Sequence, residues 1–277
     1  MKISILLPYK ENFSPKYAGA VSLFVSQTVE SSKFKKDITI YGNTNYTKIL
    51  SKNYINLDLK KSVLQSSSKI YVDQFIKSEN DNKSDIIEVH NRPNYIKQIK
   101  NESSAKVSLY FHNDPLNMNG STTIKERNYL LNNLDAIIFN SEWSKKRFFI
   151  GLKKSKTEIN LKTHIIHQSS SRVKINFKKK AKIISFVGKL NTAKGYDLFG
   201  DAVIKILDKH KNWKAVVFGD EHREKLNFSH KNMKIFGFKE HSFILKYLER
   251  VSVSIICSRW NEPFGRTSLE AASRGSA

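Results

Sequence analysis

Two glutamates, Glu262 and Glu270, stand on either side of a Pro263-Phe264-Gly265 turn near the end of the sequence. An apolar run, Val251–Cys257, comes before them, and a helix-like segment opens at Phe264 or Gly265. Proline suits a helix entry, and glycine lets backbone N–H groups approach a ligand closely. The unpaired N–H donors and the positive dipole end of a helix start make an anion site. From Phe264 to Glu270 the chain would rise about 9 Å along a helix. A diphosphate with a sugar at one end and a ribose at the other has that scale. Carboxylates accept hydrogen bonds from hydroxyl pairs, so the glutamates suit the two sugar ends and the helix start suits the phosphates. Taken alone, the pair reads equally well as ordinary helix-end charge.

A second constellation lies upstream, where Gly188-Lys189 and Lys194-Gly195 bracket a short loop between a strand-like run and a helix-like one. Two ammonium groups placed there could neutralise a diphosphate. On spacing alone they are also two solvated lysines of a Lys-rich chain. The loop is not a phosphate-binding P-loop, because no G-x-x-x-x-G-K-[ST] occurs. The absence of G-x-G-x-x-G and G-x-S-x-G argues against dinucleotide oxidoreductases and nucleophile-elbow hydrolases. Of the eight histidines, His90 and His112 each close an apolar run, where a ligand would sit. His164 and His167 share one run without Cys or carboxylate companions and read as packing or surface residues rather than a metal pair. Cys257, the single cysteine, reads as a small buried apolar residue and excludes an intrachain disulfide.

The elements that must position these residues alternate along the chain. Short β-branched runs occur at Ile3–Pro8, Ile38–Tyr41, Ile86–His90, Val107–His112, Ala136–Asn140 and His164–His167. After the basic, Ser-rich stretch Ser169–Lys180 the rhythm restarts at Lys182–Val187, Ala215–Gly219, Met233–Gly237 and Val251–Cys257. Helix-like segments lie between them: Gly19–Ser31, Ile124–Leu134, Trp143–Leu152, Leu198–Lys209 and Ser242–Arg250. Near-continuous apolar strands alternating with helices predict parallel α/β sheets covered on both faces. The reading is two Rossmann-like doubly wound domains: residues 1–172, a linker at 173–180, and residues 181–277. Ligands of such sheets bind beyond the carboxyl ends of the strands.

The length of 277 residues fits two domains, and 39% hydrophobic residues suffice for real cores. The charge of +23 is spread along the chain, with 27 basic against 15 acidic residues up to Arg172 and 21 against 10 beyond it. A nucleic-acid-binding arm would concentrate that charge. An anionic membrane or substrate would account for it, and so would compositional bias. The run Ile3–Pro8 is too short for a signal-peptide core, so a soluble, cytoplasmic protein is expected. The segment Ser144–Lys156 mixes basic residues with Phe148, Phe149, Ile150 and Leu152, and could bring the protein peripherally to the inner face of an anionic membrane.

Together these residues resemble family 4 of the glycosyltransferases, retaining nucleotide-sugar enzymes of the GT-B fold. The resemblance runs through Phe186–Leu190 with Lys194–Asp197, through Glu262–Gly265 with Leu269–Ala272, and through Ala18-Gly19-Ala20, Asp85–His90 and Ala136–Trp143 in the first half. It implies two domains facing a cleft, the first on the acceptor side and the second holding the donor. Lys189 and Lys194 would contact the donor diphosphate, and Phe264 and Gly265 would offer it backbone N–H groups. Glu262 would hold donor-sugar hydroxyls and Glu270 the nucleotide ribose. Gly19 would lie close to the phosphates, and His112 nearest the reacting sugar. His112 and Glu262 are the residues assigned to catalysis.

Three departures from the family pattern stand out. The first turn is Ala-Gly-Ala rather than a glycine pair, Lys189 replaces the usual arginine, and Gln168-Ser169-Ser170 follows His167. A lysine keeps the charge but loses the bidentate fork.

The expected activity is hexosyl transfer from a nucleotide-diphosphate sugar to a glycan or lipid-linked acceptor, in surface polysaccharide or lipopolysaccharide synthesis. No D-x-D element occurs, so no metal and no other cofactor is expected, lysines and a helix dipole taking the charge instead. A second domain of this fold continues beyond the helix carrying Glu270, so the second domain is expected to be incomplete at Ala277. A truncated or non-catalytic relative is therefore one alternative. A basic nucleic-acid-binding protein is the other, and the absence of an aromatic-basic motif argues against it.

Overall fold

The computed structural model describes residues 1–59, 65–153, 161–171 and 173–277, and the chain divides into two compact units, Met1–Gln168 and Ser169–Ala277. The first unit ends at Gln168, whose side chain is buried against His112.

Among the described residues, seven strands make the first sheet: β1 (Ile3–Leu6), β2 (Ile38–Gly42), β3 (Tyr54–Asn56), β4 (Ile86–His90), β5 (Lys106–Phe111), β6 (Ala136–Phe139) and β7 (Thr163–Ile165). They pair in parallel in the order β3-β2-β1-β4-β5-β6-β7. The order reverses direction between β1 and β4, the switch point of a doubly wound sheet. Alternate residues serve opposite faces. Leu6, Val89, Leu109, Phe111 and Phe139 meet α2 (Ser67–Asn82), α3 (Ile96–Glu102), α4 (Ile124–Asn133) and α5 (Glu142–Phe149) through Phe75, Ile99, Leu130 and Phe148. Ile5, Leu7, Ile40, Tyr110 and Ile138 face α1 (Ala20–Ser31) through Phe24, Val25 and Val29. Burying each such side chain contributes about 1.5–3 kcal/mol.

Local signals set the helix ends. Ser66 accepts Lys69 N–H, Ser141 accepts Ser144 N–H, and Thr123 with Glu126 forms a reciprocal capping box.

The second sheet contains β8 (Ala181–Val187), β9 (Lys214–Phe218), β10 (Met233–Ile235) and β11 (Val251–Ser254), parallel in the order β10-β9-β8-β11. Its switch point lies between β8 and β11. One face packs Ile184, Phe186 and Val217 on α6 (Tyr196–Lys209), through Phe199, Val203 and Leu207. The other packs Ile183, Val216 and Phe218 on α7 (His241–Leu248) through Leu248. α8 (Arg266–Ser273) carries Glu270, and beyond it Ala277 exchanges backbone hydrogen bonds with Ser252 and Ser254 beside β11.

Each of the ten expected runs contains or overlaps a strand, with His164–His167 sharing only its first two residues with β7. Those not anticipated are β3, α2 and α3. The suggested membrane segment is partly accounted for by packing: Phe148 is fully buried, and Arg147 is paired with Asp114. Its residues 154–156 lie outside the described residues. Among the described residues, no helix is long and apolar enough to cross a membrane.

Candidate active site

In the second unit, the loops leaving β8 and β11 at the switch point are joined into one structure. Arg259 N–H and Trp260 N–H donate to Ala193 O. The Arg259 guanidinium donates to Thr192 O at 2.9 Å and to both carboxylate oxygens of Asp197 at 2.6 and 2.7 Å. That charge pair holds the Asp197 carboxyl below its ordinary range. Gly195 makes the approach possible, because a residue without a side chain tolerates both the backbone and the crowding. It adopts φ 72°, and a Cβ there would stand 2.0 Å from Cys257 O. The Cys257 thiol is half-buried rather than fully buried, and donates to Gly195 O at 3.0 Å. Two motifs more than 60 residues apart in sequence thus share one edge.

This joint structure brings Lys194 and Glu262 together. The Lys194 ammonium pairs with Glu262 Oε1, which also accepts Ser258 Oγ–H at 3.0 Å. The Trp260 ring lies under the same ammonium, its centroid 5.8 Å away. At that separation the ring face attracts the cation. Both charged side chains are about one-third exposed, at 32% and 30%, and so remain open to a ligand. Phe264, half-buried, and Gly265 lead directly into α8, with Gly265 at the helix N-cap. Lys189 lies on the loop after β8 with its side chain exposed.

Glu270 is turned inward. It is 5% exposed, and its Oε1 receives His241 Nε2 at 2.7 Å and Arg266 Nε at 2.6 Å. Burial pushes this carboxyl up, but the hydrogen bonds and charges of His241 and Arg266 outweigh it and hold it below its ordinary value. Arg266 was legible as an i,i+4 partner on the same helix. His241, at the start of α7, carried no local signal.

In the first unit, Gly19 sits at the N-cap of α1, beyond the carboxyl end of β1. The close approach it permits is made by Glu11: a Cβ at Gly19 would stand 2.1 Å from Glu11 Oε1, which accepts Ser22 N–H at 3.1 Å. Burial raises the Glu11 carboxyl, against the opposing hydrogen bond from Ser22 and the charge of Arg92. Glu11 went unnoticed in the sequence because it lies eight residues ahead of the glycine turn.

His112 also closes its strand at this edge, but as a member of a buried chain. Gln168 Nε2 lies 3.1 Å from His112 Nδ1, His112 Nε2 lies 2.8 Å from His90 Nδ1, and His90 Nε2 lies 2.7 Å from Glu88 Oε1. One proton assignment satisfies all three bonds with both imidazoles neutral: each donor points toward Glu88, whose carboxylate accepts last. Tyr110 stacks on both imidazoles, and Phe24 of α1 meets His112 edge-on at 5.1 Å. Both His112 ring nitrogens are therefore engaged within the unit. His90 and Gln168 are the partners that sequence reading did not connect. His164 and His167 are exposed at β7 and just beyond it.

With this geometry in place, comparison with known proteins gives a consistent picture. Residues 167–277 match the family model described as "Glycosyl transferases group 1". Over 219 residues the chain is 24% identical to the Bacillus subtilis (strain 168) protein named "Putative glycosyltransferase YtcC", covering 69% of this chain and 54% of that one. The chain thus spans about half the length of the curated relative it matches. Among solved structures, Anabaena HepE in complex with UDP and glucose superposes with a TM-score of 0.71 at 14% identity, covering 100% of this chain and 79% of that one. Sucrose-phosphate synthase from Thermosynechococcus elongatus gives a TM-score of 0.72 at 14% identity, with 100% and 80% covered. Two Rossmann-like units of these topologies, full-length superposition on such enzymes and the match over residues 167–277 make this a chain of the GT-B fold, carrying a group 1 glycosyl transferase match in its second half.

Proposed function

We propose that the chain is a retaining, metal-independent glycosyltransferase that moves a hexosyl unit from a nucleotide-diphosphate sugar to a glycan or lipid-linked acceptor in surface polysaccharide or lipopolysaccharide synthesis. One observation carries the reading. The joined loops of the second unit present Lys194 and Glu262 in contact, just ahead of the α8 N-terminus, at a sheet switch point. The UDP and glucose in the HepE complex, and the family match over the same residues, support a nucleotide-sugar donor.

In the reaction, the bond from the anomeric carbon to the diphosphate oxygen breaks and the acceptor hydroxyl oxygen bonds to that carbon. The hydroxyl proton leaves to the departing phosphate. Charge therefore accumulates on the leaving group, and positioned cations lower the barrier most effectively there. Lys194 and Lys189 are assigned to the diphosphate, with the Phe264 and Gly265 N–H groups beside them. Glu262 is assigned to the donor-sugar hydroxyls, exchanging its bond to Lys194 for them as the phosphates take the ammonium. Glu270 is assigned to the ribose; its Oε1 is held by His241 and Arg266, which leaves Oε2 as the accepting oxygen. The first unit is assigned to the acceptor.

The test is incubation with radiolabelled UDP-, GDP- and ADP-hexoses and extracted glycan and lipid-linked acceptors, with chelator present throughout. Transfer with the anomeric configuration of the donor preserved is the expected result. Inversion, or dependence on added divalent metal, overturns the corresponding part of the reading.

A further inference from the structure

The first unit contains a hollow of about 330 Å³ at the carboxyl ends of β4 and β5, next to the His112 backbone. Its lining is unusual in chemistry: Asn91, Asn94, Asn113, Asn117 and Asn119 surround Arg92, with Met118 beside them. The volume falls at the small end of ligand sites, about 300–1,000 Å³, and has room for one sugar residue.

The walls are held in place. Asn91, in the left-handed region at φ 56°, accepts the His112 and Asn113 N–H groups on its Oδ1, each at 3.1 Å. Asp114 accepts Leu116 N–H and Asn117 Nδ2–H, and is clamped in turn by both Nε and Nη2 of Arg147. At Gly120 (φ +92°) a Cβ would lie 2.5 Å from Asn94 N, so the walls from the two strands touch through glycine. A site built this way loses little entropy on binding.

The carboxamides of Asn94, Asn113 and Asn119 offer donors and an acceptor, the complement of a sugar hydroxyl, which is also both, whereas Asn91 Oδ1 and an Asn117 Nδ2 hydrogen are already engaged in the walls. Met118 lines the hollow but is largely buried in the core, so the exposed lining is polar. Among the described residues lining the hollow, only Arg92 is charged. Its Nη1 donates to Asn91 O at 2.8 Å, and among the described residues it forms no ion pair with a carboxylate. Glu11 feels its charge without pairing with it, and Asp114 is committed to Arg147. A guanidinium without a carboxylate, set among amides, fits one anionic group attached to a polyhydroxylated ring.

We propose that this hollow is the acceptor subsite and that it selects a sugar residue bearing a carboxylate or phosphate, with Arg92 as the specificity-determining group. The proposal rests on the transferase reading for the word acceptor, but its test needs neither donor nor turnover. Titrate the full chain with glucuronate, glucose 6-phosphate, glucose and inorganic phosphate, following amide shifts by NMR. The same titrations are repeated on Arg92→Gln, Arg92→Lys and Asn94→Ala. At least one charged sugar should bind about tenfold more tightly than both glucose and inorganic phosphate. Which charged sugar binds more tightly distinguishes carboxylate from phosphate. Arg92→Gln should abolish that preference, Arg92→Lys restore it in part, and Asn94→Ala, at an exposed position, weaken all the sugars together. The proposal is overturned if glucose or inorganic phosphate binds as well as the charged sugars. It also fails if no sugar binds up to about 20 mM, or if the charge preference survives Arg92→Gln. Should Arg92→Gln fail to fold, loss of affinity for every sugar in Asn94→Ala, with shifts confined to residues 91–119, supports the site, and its absence overturns it. Nucleotide-sugar binding by the same preparation reads the second unit separately, so failure here leaves that reading intact.

Discussion

His241 Nε2 lies 2.7 Å from Glu270 Oε1, and this bond ties the start of α7 to the middle of α8. Arg266 shares the same oxygen, so removing the carboxylate leaves the Arg266 guanidinium and the His241 imidazole without that acceptor in a buried space. Breaking a buried pair from one side costs about 3–5 kcal/mol. Glu270→Ala should therefore lower stability toward urea by about that amount, and Glu270→Gln by less, since it still accepts one hydrogen bond. Because the Glu270 carboxyl is held below its ordinary value of 4.5, its contribution is fully present above that pH and is lost as the pH falls through the folded value. Urea midpoints measured from about pH 6 down to about pH 3 should show a fall that Glu270→Gln flattens.

Glu11 has the opposite sign. Burial raises its carboxyl, so the folded state is favoured below pH 4.5 and loses that advantage as pH rises through the folded value. Glu11→Gln keeps an acceptor for Ser22 N–H and removes the desolvated charge. The variant should match the parent at low pH and exceed it in melting temperature at pH 7. A lower melting temperature at pH 7 would show that charge at this helix start is worth more than its desolvation.

Gly19 and Glu11 should be coupled. An alanine at 19 would displace the Glu11 carboxylate from Ser22. Loss of a capping interaction of this kind costs about 0.5–2 kcal/mol. In a Glu11→Ala background the same change should be nearly neutral. A double-mutant cycle measures this directly, and additive costs would assign the glycine some other role.

Gly195→Ala should separate the loops that carry Lys194 and Glu262. The left-handed backbone alone costs an alanine about 1–2 kcal/mol. Here the neighbour is the Cys257 carbonyl rather than a movable side-chain end. Greater destabilisation than that figure is expected, together with loss of nucleotide-sugar binding, by calorimetry. Unchanged binding would mean that the joined loops do not form the donor site.

Much of the fold was readable because strand interiors here are near-continuous apolar runs with buried residues on both faces, as at Val107–Phe111 and Ile183–Phe186. Strand β3 escaped notice because, of Tyr54, Ile55 and Asn56, only Tyr54 is buried. Helix α2 was hidden by its Lys, Ser and Asn content, although Tyr71, Val72, Phe75, Ile76 and Glu79 follow a helical stripe. A donor site shared by Lys194 and Glu262 was expected from the family resemblance and from their place after strand ends, but their direct ion pair was not. Local spacing carried no sign that Glu270 would face His241, or that Glu88, His90, His112 and Gln168 would form one chain. Those relationships depend on strand order, which places β4 beside β5 and returns Gln168 to their edge.

Lys194 and Glu262 are proposed to belong to one nucleotide-sugar site. This assignment is tested most directly by thermal unfolding of the chain with UDP-, GDP- and ADP-sugars, beside Lys194→Ala and Glu262→Ala. One nucleotide class should raise the melting temperature of the parent. Lys194→Ala should weaken both the sugar nucleotide and the free nucleoside diphosphate by about tenfold or more, and Glu262→Ala only the sugar nucleotide. Absence of any shift across the panel, or equal shifts in the parent and both variants, would contradict it.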